Sequence, residues 1–286
     1  MYTRAWALYQ ECMHVMGLNP ITISELPLNY KHILLFMSYL QIKGLAPATI
    51  TTYLSAIGYV HKARAVVDPT TQFLVQKVLS SINKLHGTRD SRLPITLLIL
   101  HRLLESIDKV ITNVYHSKLL KAMFLVAFYG LFRVGEITVQ KSGNVSLYFN
   151  QLLVLKDCFQ VQITSFKNNK TNKPFDIVIH KQPGGHCPYQ ALLNYLSVRG
   201  CDSGPLFRFL DKSPVSRNFF TSRLKNCISF CGLDPRLFKS HSFRIGSASY
   251  LASIGKSDLQ IKLMGRWSSD SFLRYIRNQK FNIFHR

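Results

Sequence analysis

The chain has 286 residues, and 47% of them are hydrophobic, which suits two globular domains and excludes a disordered protein. Its 36 lysines and arginines outnumber 14 acidic residues, and the resulting net charge of +22 predicts a polyanionic partner. Because the sequence contains no long apolar run, signal peptide or lipidation motif, we expect that partner to be nucleic acid and not a membrane.

Other classes of chemistry find little support in the sequence. Six cysteines are scattered without a C-x-x-C pair, which predicts reduced thiols in an intracellular protein. Cys227, Cys231 and the neighbours His186 and Cys187 lack the spacing of zinc modules, so we expect no metal site. There is no phosphate-binding loop, dinucleotide fingerprint or carboxylate cluster, and we therefore expect no cofactor.

The N-terminal part is predicted to be a helical domain spanning residues 1–88. Apolar periodicity, together with glycines and prolines at the boundaries, predicts helices over Thr3–Met16, Asn29–Ile42, Pro47–Ala63 and Thr71–Leu85. The polar segment 89–94 is predicted to be a linker to a second domain, 95–286. Lys43, Lys62 and Arg64 are candidates for DNA contact, and the alternative is that they lie on solvated faces.

The second domain is predicted to combine helices with a small antiparallel sheet. Its helices are expected over 96–110, 117–128, 188–199 and 216–231. Alternating apolar residues at 159–163 and 175–179 predict two strands joined by the lysine-rich turn 167–173. The whole chain is thus predicted to be mainly α. The basic residues of the 216–231 helix suit phosphate contacts, and they are Arg217, Arg223 and Lys225.

A phosphate site is predicted at the start of a helix near the C-terminus. If Ser240 is the N-cap of a helix running to Ser253, His241 and Arg244 lie one turn apart near its positive end. Free backbone N–H groups and two donor side chains at that end favour a bound phosphate without a metal ion. The alternative is that His241 and Arg244 form a pair on a solvated helix face.

A tyrosine follows this site closely in sequence. Ser257 is predicted to cap a short helix ending at Gly265, and Ser268 to cap another that carries Tyr275. Tyr275 is therefore a candidate nucleophile near the phosphate site, or alternatively a half-buried core residue. Gly265, Arg266 and Trp267 lie between the two helices.

Arg133 is the remaining candidate. It lies three positions before Glu136, and an isolated Arg-x-x-Glu is typical of an ion pair on a helix surface. Because Arg133 follows a largely apolar helix, we expect it instead to be partly buried. A partly buried arginine requires anionic partners, which Glu136 and a phosphate would supply.

The order His-x-x-Arg, Gly-Arg-Trp and Tyr resembles the tyrosine recombinase, or phage-integrase, family. The segments HSFRIGSASYLASIG and LMGRWSSDSFLRYIR are most similar to recombinases of DIRS-type retrotransposons. The segment GLAPATITTYLSAIGYVHKA resembles the family's helical, SAM-like core-binding domain. The resemblance implies that 95–286 is a mixed α/β tyrosine recombinase catalytic domain.

The resemblance also implies a role for each residue. Its catalytic set is Arg133, Lys167, His241, Arg244, Trp267 and the nucleophile Tyr275, with Glu136 in support and Trp267 in place of a histidine. Lys167 would protonate the leaving 5′ oxygen, and Lys170 is the alternative. Lys170 and Arg266 are further candidates for DNA contact.

The expected function is DNA cleavage and rejoining through a 3′-phosphotyrosyl intermediate, for recombination or integration of a mobile element. The expected partner is double-stranded DNA, with four protomers on two duplexes and a monomer or dimer off DNA. The protein is expected in the nucleus if it is eukaryotic, and otherwise in the cytoplasm or nucleoid. The alternatives are a type IB topoisomerase and a DNA-binding protein that keeps the fold without turnover.

Overall fold

The computed structural model describes residues 2–86, 91–140, 143–145, 147–164, 166, 169 and 173–276. The chain divides into two compact units, Met1–Asp90 and Ser91–Arg286. Residues 91–94 of the predicted linker belong to the second unit, where the Leu93 N–H donates to the Leu237 carbonyl at 2.8 Å. A core-binding role for the first unit stays a prediction.

The first unit is a helical domain with its own apolar core. Its helices are α1 (Tyr2–Val15), α2 (Tyr30–Ile42), α3 (Pro47–Ala63) and α4 (Phe73–His86). Helix α3 begins at Pro47, as expected, whereas α2 begins one residue after the predicted Asn29, whose side chain caps it. Thr71 does not begin α4, because Asp68 instead caps a separate 3-10 turn over Pro69–Thr71.

The second unit is helical, and α6 is its most buried helix. The helices in its described part are α5 (Leu97–Val110), α6 (Val114–Tyr129), α7 (Val134–Ile137), α8 (Pro188–Arg199), α9 (Arg217–Phe230), α10 (Ser242–Ser253) and α11 (Asp258–Met264). Every residue of α6 from Ala122 to Phe128 is buried. This helix begins three residues before the predicted Ser117, because the Asn113 side chain accepts from the His116 N–H and caps it.

A three-stranded antiparallel sheet packs on this core within the described residues. Its strands are β1 (Leu152–Val154), β2 (Cys158–Ile163) and β3 (Phe175–His180), in the order β1-β2-β3. The apolar positions of β2 face the core. The predicted fold class, mainly α with a small antiparallel sheet, is confirmed. No helix in the described part of the chain is long and apolar enough to cross a membrane.

The predicted starts of two C-terminal helices are wrong. Helix α10 begins at Ser242 with His241, not Ser240, at its N-cap, because the Ser242 hydroxyl accepts from the Lys239 N–H at 3.0 Å. Ser268 does not cap an α-helix either. Tyr275 instead ends a 3-10 helix over Asp270–Tyr275. Both errors lie at helix ends, which fray and often take 3-10 geometry.

The backbone of α10 lies directly against the chain that leads into α5. The Ile95 N–H donates to the Ser242 carbonyl at 3.0 Å, and a Cβ added at Gly246 would lie 1.8 Å from the Ile95 carbonyl oxygen. Gly246 therefore permits a contact that any side chain would prevent. This contact fixes the N-terminal end of α10, where His241 and Arg244 lie.

Candidate active site

The candidate site is assembled from segments far apart in sequence. Arg133 lies just before α7, and His241 and Arg244 lie on the first turn of α10. Trp267 follows α11, and Tyr275 ends the 3-10 helix. The contacts below show that all five side chains belong to one cluster of the second unit.

Glu136 connects the two loops of this cluster. Its Oε1 accepts from Arg133 Nη1 at 2.9 Å, and its Oε2 accepts from the Arg133 N–H at 2.8 Å. Oε2 also accepts from Arg266 Nη2 at 2.9 Å. Burial would raise the pKa of Glu136, but the charges of Arg266, Arg133 and Arg244 and the Arg133 hydrogen bond hold it below its usual value.

Arg244 is completely buried beneath Trp267. Its guanidinium carbon lies 4.3 Å from the centre of the indole ring. The Nη1 group donates to the Leu131 carbonyl, and Nη2 donates to the Gly265 carbonyl at 2.7 Å. Burial, with the charges of Arg133 and Arg266, lowers the pKa of Arg244 to about 9, so the group stays cationic at neutral pH.

Leu131 holds a backbone conformation that favours glycine. Its φ is 46°, and its carbonyl accepts from both Arg244 Nη1 and Arg266 Nη2. Arg266 has a similar φ of 56°. Two non-glycine residues in the left-handed region are costly, and such strain concentrates at functional sites where surrounding contacts enforce it.

Tyr275 is half-buried and faces both His241 and Trp267. Its hydroxyl oxygen lies 2.8 Å from His241 Nε2, and its ring centre lies 5.5 Å from that of Trp267. The Tyr275 carbonyl accepts from the Ser249 hydroxyl at 3.0 Å. Tyr275 is thus held against α10 both through its hydroxyl group and through its backbone carbonyl. A neutral imidazole at this distance can accept its proton.

Gly265→Ala is expected to displace Trp267. A Cβ at this position would lie 1.5 Å from the indole ring, which packs against both Arg244 and Tyr275. We expect a loss of roughly 1–3 kcal/mol in the free energy of unfolding, measured by urea denaturation. Gly185→Ala is the matched control, because a Cβ there meets nothing within 4 Å. Equal stability of the two variants would contradict the packing described.

The structure does not support a DNA contact by Arg266. Its side chain is 1% exposed and is occupied by Glu136 and by backbone carbonyls. The prediction from sequence is corrected on this point, because a basic charge alone does not distinguish a surface residue from a buried partner of a carboxylate.

A basic cleft lies beside the start of α10. It has a volume of about 530 Å³, and Arg217, Lys225 and Lys239 are among the residues that line it. Arg223, predicted together with the first two, instead stacks over Phe219 at 5.3 Å. Positions 217 and 225 share one helix face that 223 does not, and this periodicity was available in the sequence. Lys239 was missed because it lies in an irregular segment.

The predicted basic residues of the first unit differ in their surroundings. Lys43 pairs with Glu11 at 2.5 Å, and Lys62 lies 3.5 Å from Asp68. Arg64 is exposed at the end of α3. DNA contact by these residues stays a prediction. Lys167 and Lys170 lie outside the described residues.

Comparison with known proteins finds similarity to solved structures but not to protein-family models or curated sequences. No protein-family model matches the chain, and no curated protein matches it in sequence. Three solved structures illustrate what it is similar to. The XerH site-specific recombinase in a post-cleavage complex with a palindromic difH substrate matches with a TM-score of 0.64 at 15% identity, over 96% of this chain and 73% of that one.

The Tn1549 transposon integrase bound to circular intermediate DNA matches with a TM-score of 0.61 at 13% identity, over 97% of this chain and 96% of that one. A lambda integrase dimer bound to a COC′ core site matches with a TM-score of 0.59 at 13% identity, over 95% of this chain and 70% of that one. At these identities the likeness establishes the fold. The described part of this chain therefore has the fold of the tyrosine recombinases and integrases.

Proposed function

We propose that this protein cleaves and rejoins DNA strands through a 3′-phosphotyrosyl intermediate, for recombination or integration of a mobile element. The observation that carries the proposal is the 2.8 Å distance between the Tyr275 hydroxyl and His241 Nε2, beside the buried Arg244. A phenol has a pKa near 10 and requires an adjacent base or positive charge to act as a nucleophile. The cluster places both beside Tyr275.

The reaction uses each member of the cluster in a distinct way. The Tyr275 oxygen attacks phosphorus and forms a new P–O bond while its proton passes to His241 or to water. The bond from phosphorus to the 5′ oxygen breaks, and Lys167 or Lys170 protonates that oxygen. Arg133 and Arg244 stabilise the charge that develops on the non-bridging oxygens. Attack by another 5′ hydroxyl on the phosphotyrosine reverses these steps and joins a new strand.

Trp267 contributes packing and not base chemistry. An indole has one N–H donor and accepts no proton. Its ring contacts both Arg244 and Tyr275, so it holds the cation and the nucleophile close together.

The proposed partner is double-stranded DNA, with four protomers on two duplexes during strand exchange and a monomer or dimer off DNA. The net charge of +22 and the basic cleft beside α10 support DNA binding. The DNA-bound state of the proteins with this fold supports it further. A nuclear location in a eukaryotic host, and a relationship to DIRS-type elements, are part of the same proposal.

DNA affinity is expected to fall steeply with salt. A protein that neutralises roughly 6–10 phosphates releases their counterions, and its affinity drops by about 10³–10⁵ between 50 and 200 mM salt. Fluorescence anisotropy with a labelled duplex measures this slope. An affinity that is constant over this range would contradict the proposed mode of binding.

Of the two candidate lysines, Lys167 is expected to be the general acid. Lys167→Ala should slow cleavage of a normal strand, and a substrate with a 5′ thiolate leaving group should restore the rate, because a thiolate leaves without a proton. Lys170→Ala is the matched comparison. Restoration in the Lys170 variant alone would assign the role to Lys170.

Strand exchange between two different duplexes separates the proposal from its alternatives. A recombinase joins a strand of one duplex to the other, whereas a type IB topoisomerase only relaxes supercoils by rejoining the same strand. A DNA-binding protein without turnover forms no covalent adduct. Recombinant product from the purified protein supports the proposal, and relaxation without joint product would contradict it.

A further inference from the structure

Arg266 lies at the centre of the site without reaching the surface. Its Nη2 donates to Glu136 Oε2 at 2.9 Å and to the Leu131 carbonyl at 3.1 Å, and its Nη1 donates to the Gly130 carbonyl at 3.2 Å. These contacts tie the loop after α11 to the loop that carries Arg133. The left-handed φ of Arg266 persists because its side chain is anchored in this way.

The charges of the cluster show what this anchoring achieves. Arg133, Arg244 and Arg266 carry three positive charges, and Glu136 carries one negative charge against them. Two positive charges therefore remain, which match the double negative charge of a pentacoordinate phosphorane. Without Arg266, Glu136 would compensate Arg133 fully and one positive charge would remain. Such a difference is large inside a site of low dielectric constant.

We propose that Arg266 is a positioning residue that neutralises Glu136 and leaves the charges of Arg133 and Arg244 available to the transferring phosphate. This inference rests on the proposed function. Glu136 is still needed, because it holds the Arg133 guanidinium and backbone in place. Arg266 allows that carboxylate to orient Arg133 without cancelling its charge.

A second substitution that removes the carboxylate charge tests this role. Arg266→Met should slow single-turnover cleavage by about 10- to 100-fold at saturating DNA. Adding Glu136→Gln to this variant should raise its cleavage rate again by roughly tenfold, because the uncompensated carboxylate charge is then removed. If the double variant cleaves no faster than Arg266→Met, the proposal is overturned.

Arg266→Lys tests whether the charge or the shape of the Arg266 side chain matters. It also replaces the Met variant as the test if that variant does not fold. A lysine ammonium can pair with Glu136, although it lacks the guanidinium's additional bonds to the two carbonyls. We expect a rate within a few-fold of the parent. A folded Lys variant that loses more than about tenfold would show that shape, and not charge, is the contribution of Arg266.

The pH profile supplies a readout that a structural role would not change. Burial raises the pKa of Glu136, and Arg266 is the strongest influence lowering it. Removing Arg266 should therefore raise this pKa, so the rate of Arg266→Met relative to the parent should recover as pH falls and Glu136 is protonated. The variant that also carries Glu136→Gln should show no such recovery. A ratio that is independent of pH would contradict the proposal.

Arg208→Met is the matched control within the same unit. Arg208 is also a buried arginine paired with a carboxylate, Asp202, and the hydrogen-bond partners of its side chain lie within residues 199–203. We expect this variant to be less stable but to cleave at the parental rate once folded. A slowed Arg208 variant would mean that loss of any buried arginine explains the Arg266 effect.

A stability measurement separates failure of this inference from failure of the proposed function. If the parent forms no covalent adduct, the proposed function fails. The pairing of Arg266 with Glu136 is then tested by the free energy of unfolding. A depressed carboxyl pKa adds stability that is lost as pH falls, so the stability difference between parent and Arg266→Met should grow as pH rises through the Glu136 titration. A difference that does not change with pH would overturn the charge coupling.

Discussion

Replacing Tyr275 by phenylalanine is expected to abolish the covalent protein–DNA adduct while leaving DNA affinity nearly unchanged. The substitution removes one oxygen, which lies 2.8 Å from His241 Nε2, and retains the ring that packs 5.5 Å from Trp267. The site therefore keeps its shape and loses its nucleophile. Denaturing gel electrophoresis of protein incubated with labelled DNA measures the adduct, and anisotropy measures the affinity.

Tyr250→Phe is the control for this experiment. Tyr250 lies on α10 itself and contacts Phe128, with the two ring centres 6.0 Å apart. Its variant should form adduct at the parental level. Adduct formation by the Tyr275 variant, or its loss in the Tyr250 variant alone, would show that the nucleophile has been misassigned.

Arg244→Ala is expected to lower the cleavage rate by roughly 10²- to 10³-fold or more, because the transition state loses a cation held close to the phosphate. Arg244 also bonds the Leu131 and Gly265 carbonyls and supports Trp267, so the variant should be less stable as well. Arg133→Ala should show a comparable loss of rate with less effect on stability, since the Arg133 side chain is 21% exposed.

Single-turnover cleavage at saturating DNA, with circular dichroism to confirm folding, measures these effects. The control is Arg236→Ala, which removes an exposed arginine paired with Asp234 at 2.8 Å. Exposed pairs contribute little to stability, so this variant should resemble the parent. Near-normal cleavage by a folded Arg244→Ala variant would mean that Arg244 does not stabilise the transition state.

Local signals in the sequence predicted much of the fold. Helix α2 begins after the Asn29 cap, α8 begins at Pro188, and Ser257 caps α11, because each boundary is set by a side chain acting on its own backbone. The short strand β1 was not predicted, since its three residues offer no alternation to detect. The starts of α10 and of the segment carrying Tyr275 are not set by the serines predicted to cap them, and there the prediction was wrong.

The candidate site likewise contains residues that the sequence predicted and a residue whose surroundings it could not predict. Motif spacing together with the family resemblance singled out Arg133, His241, Arg244 and Tyr275, and the structure places them in one cluster. The surroundings of Arg266 could not be predicted, because its partner Glu136 lies 130 positions earlier in the chain. Its positive charge suggested a DNA-contacting surface, whereas the structure shows that Arg266 is buried and paired with Glu136. A charge in a sequence does not reveal its partner.

The most direct test of the account is a suicide DNA substrate whose 5′ fragment diffuses away after cleavage, so that rejoining cannot occur. The account predicts a covalent complex in which the 3′ phosphate is attached to Tyr275, with a free 5′ hydroxyl on the released strand, identified by mass spectrometry of the digested adduct. Absence of a covalent complex, or its attachment to another residue, would contradict the account.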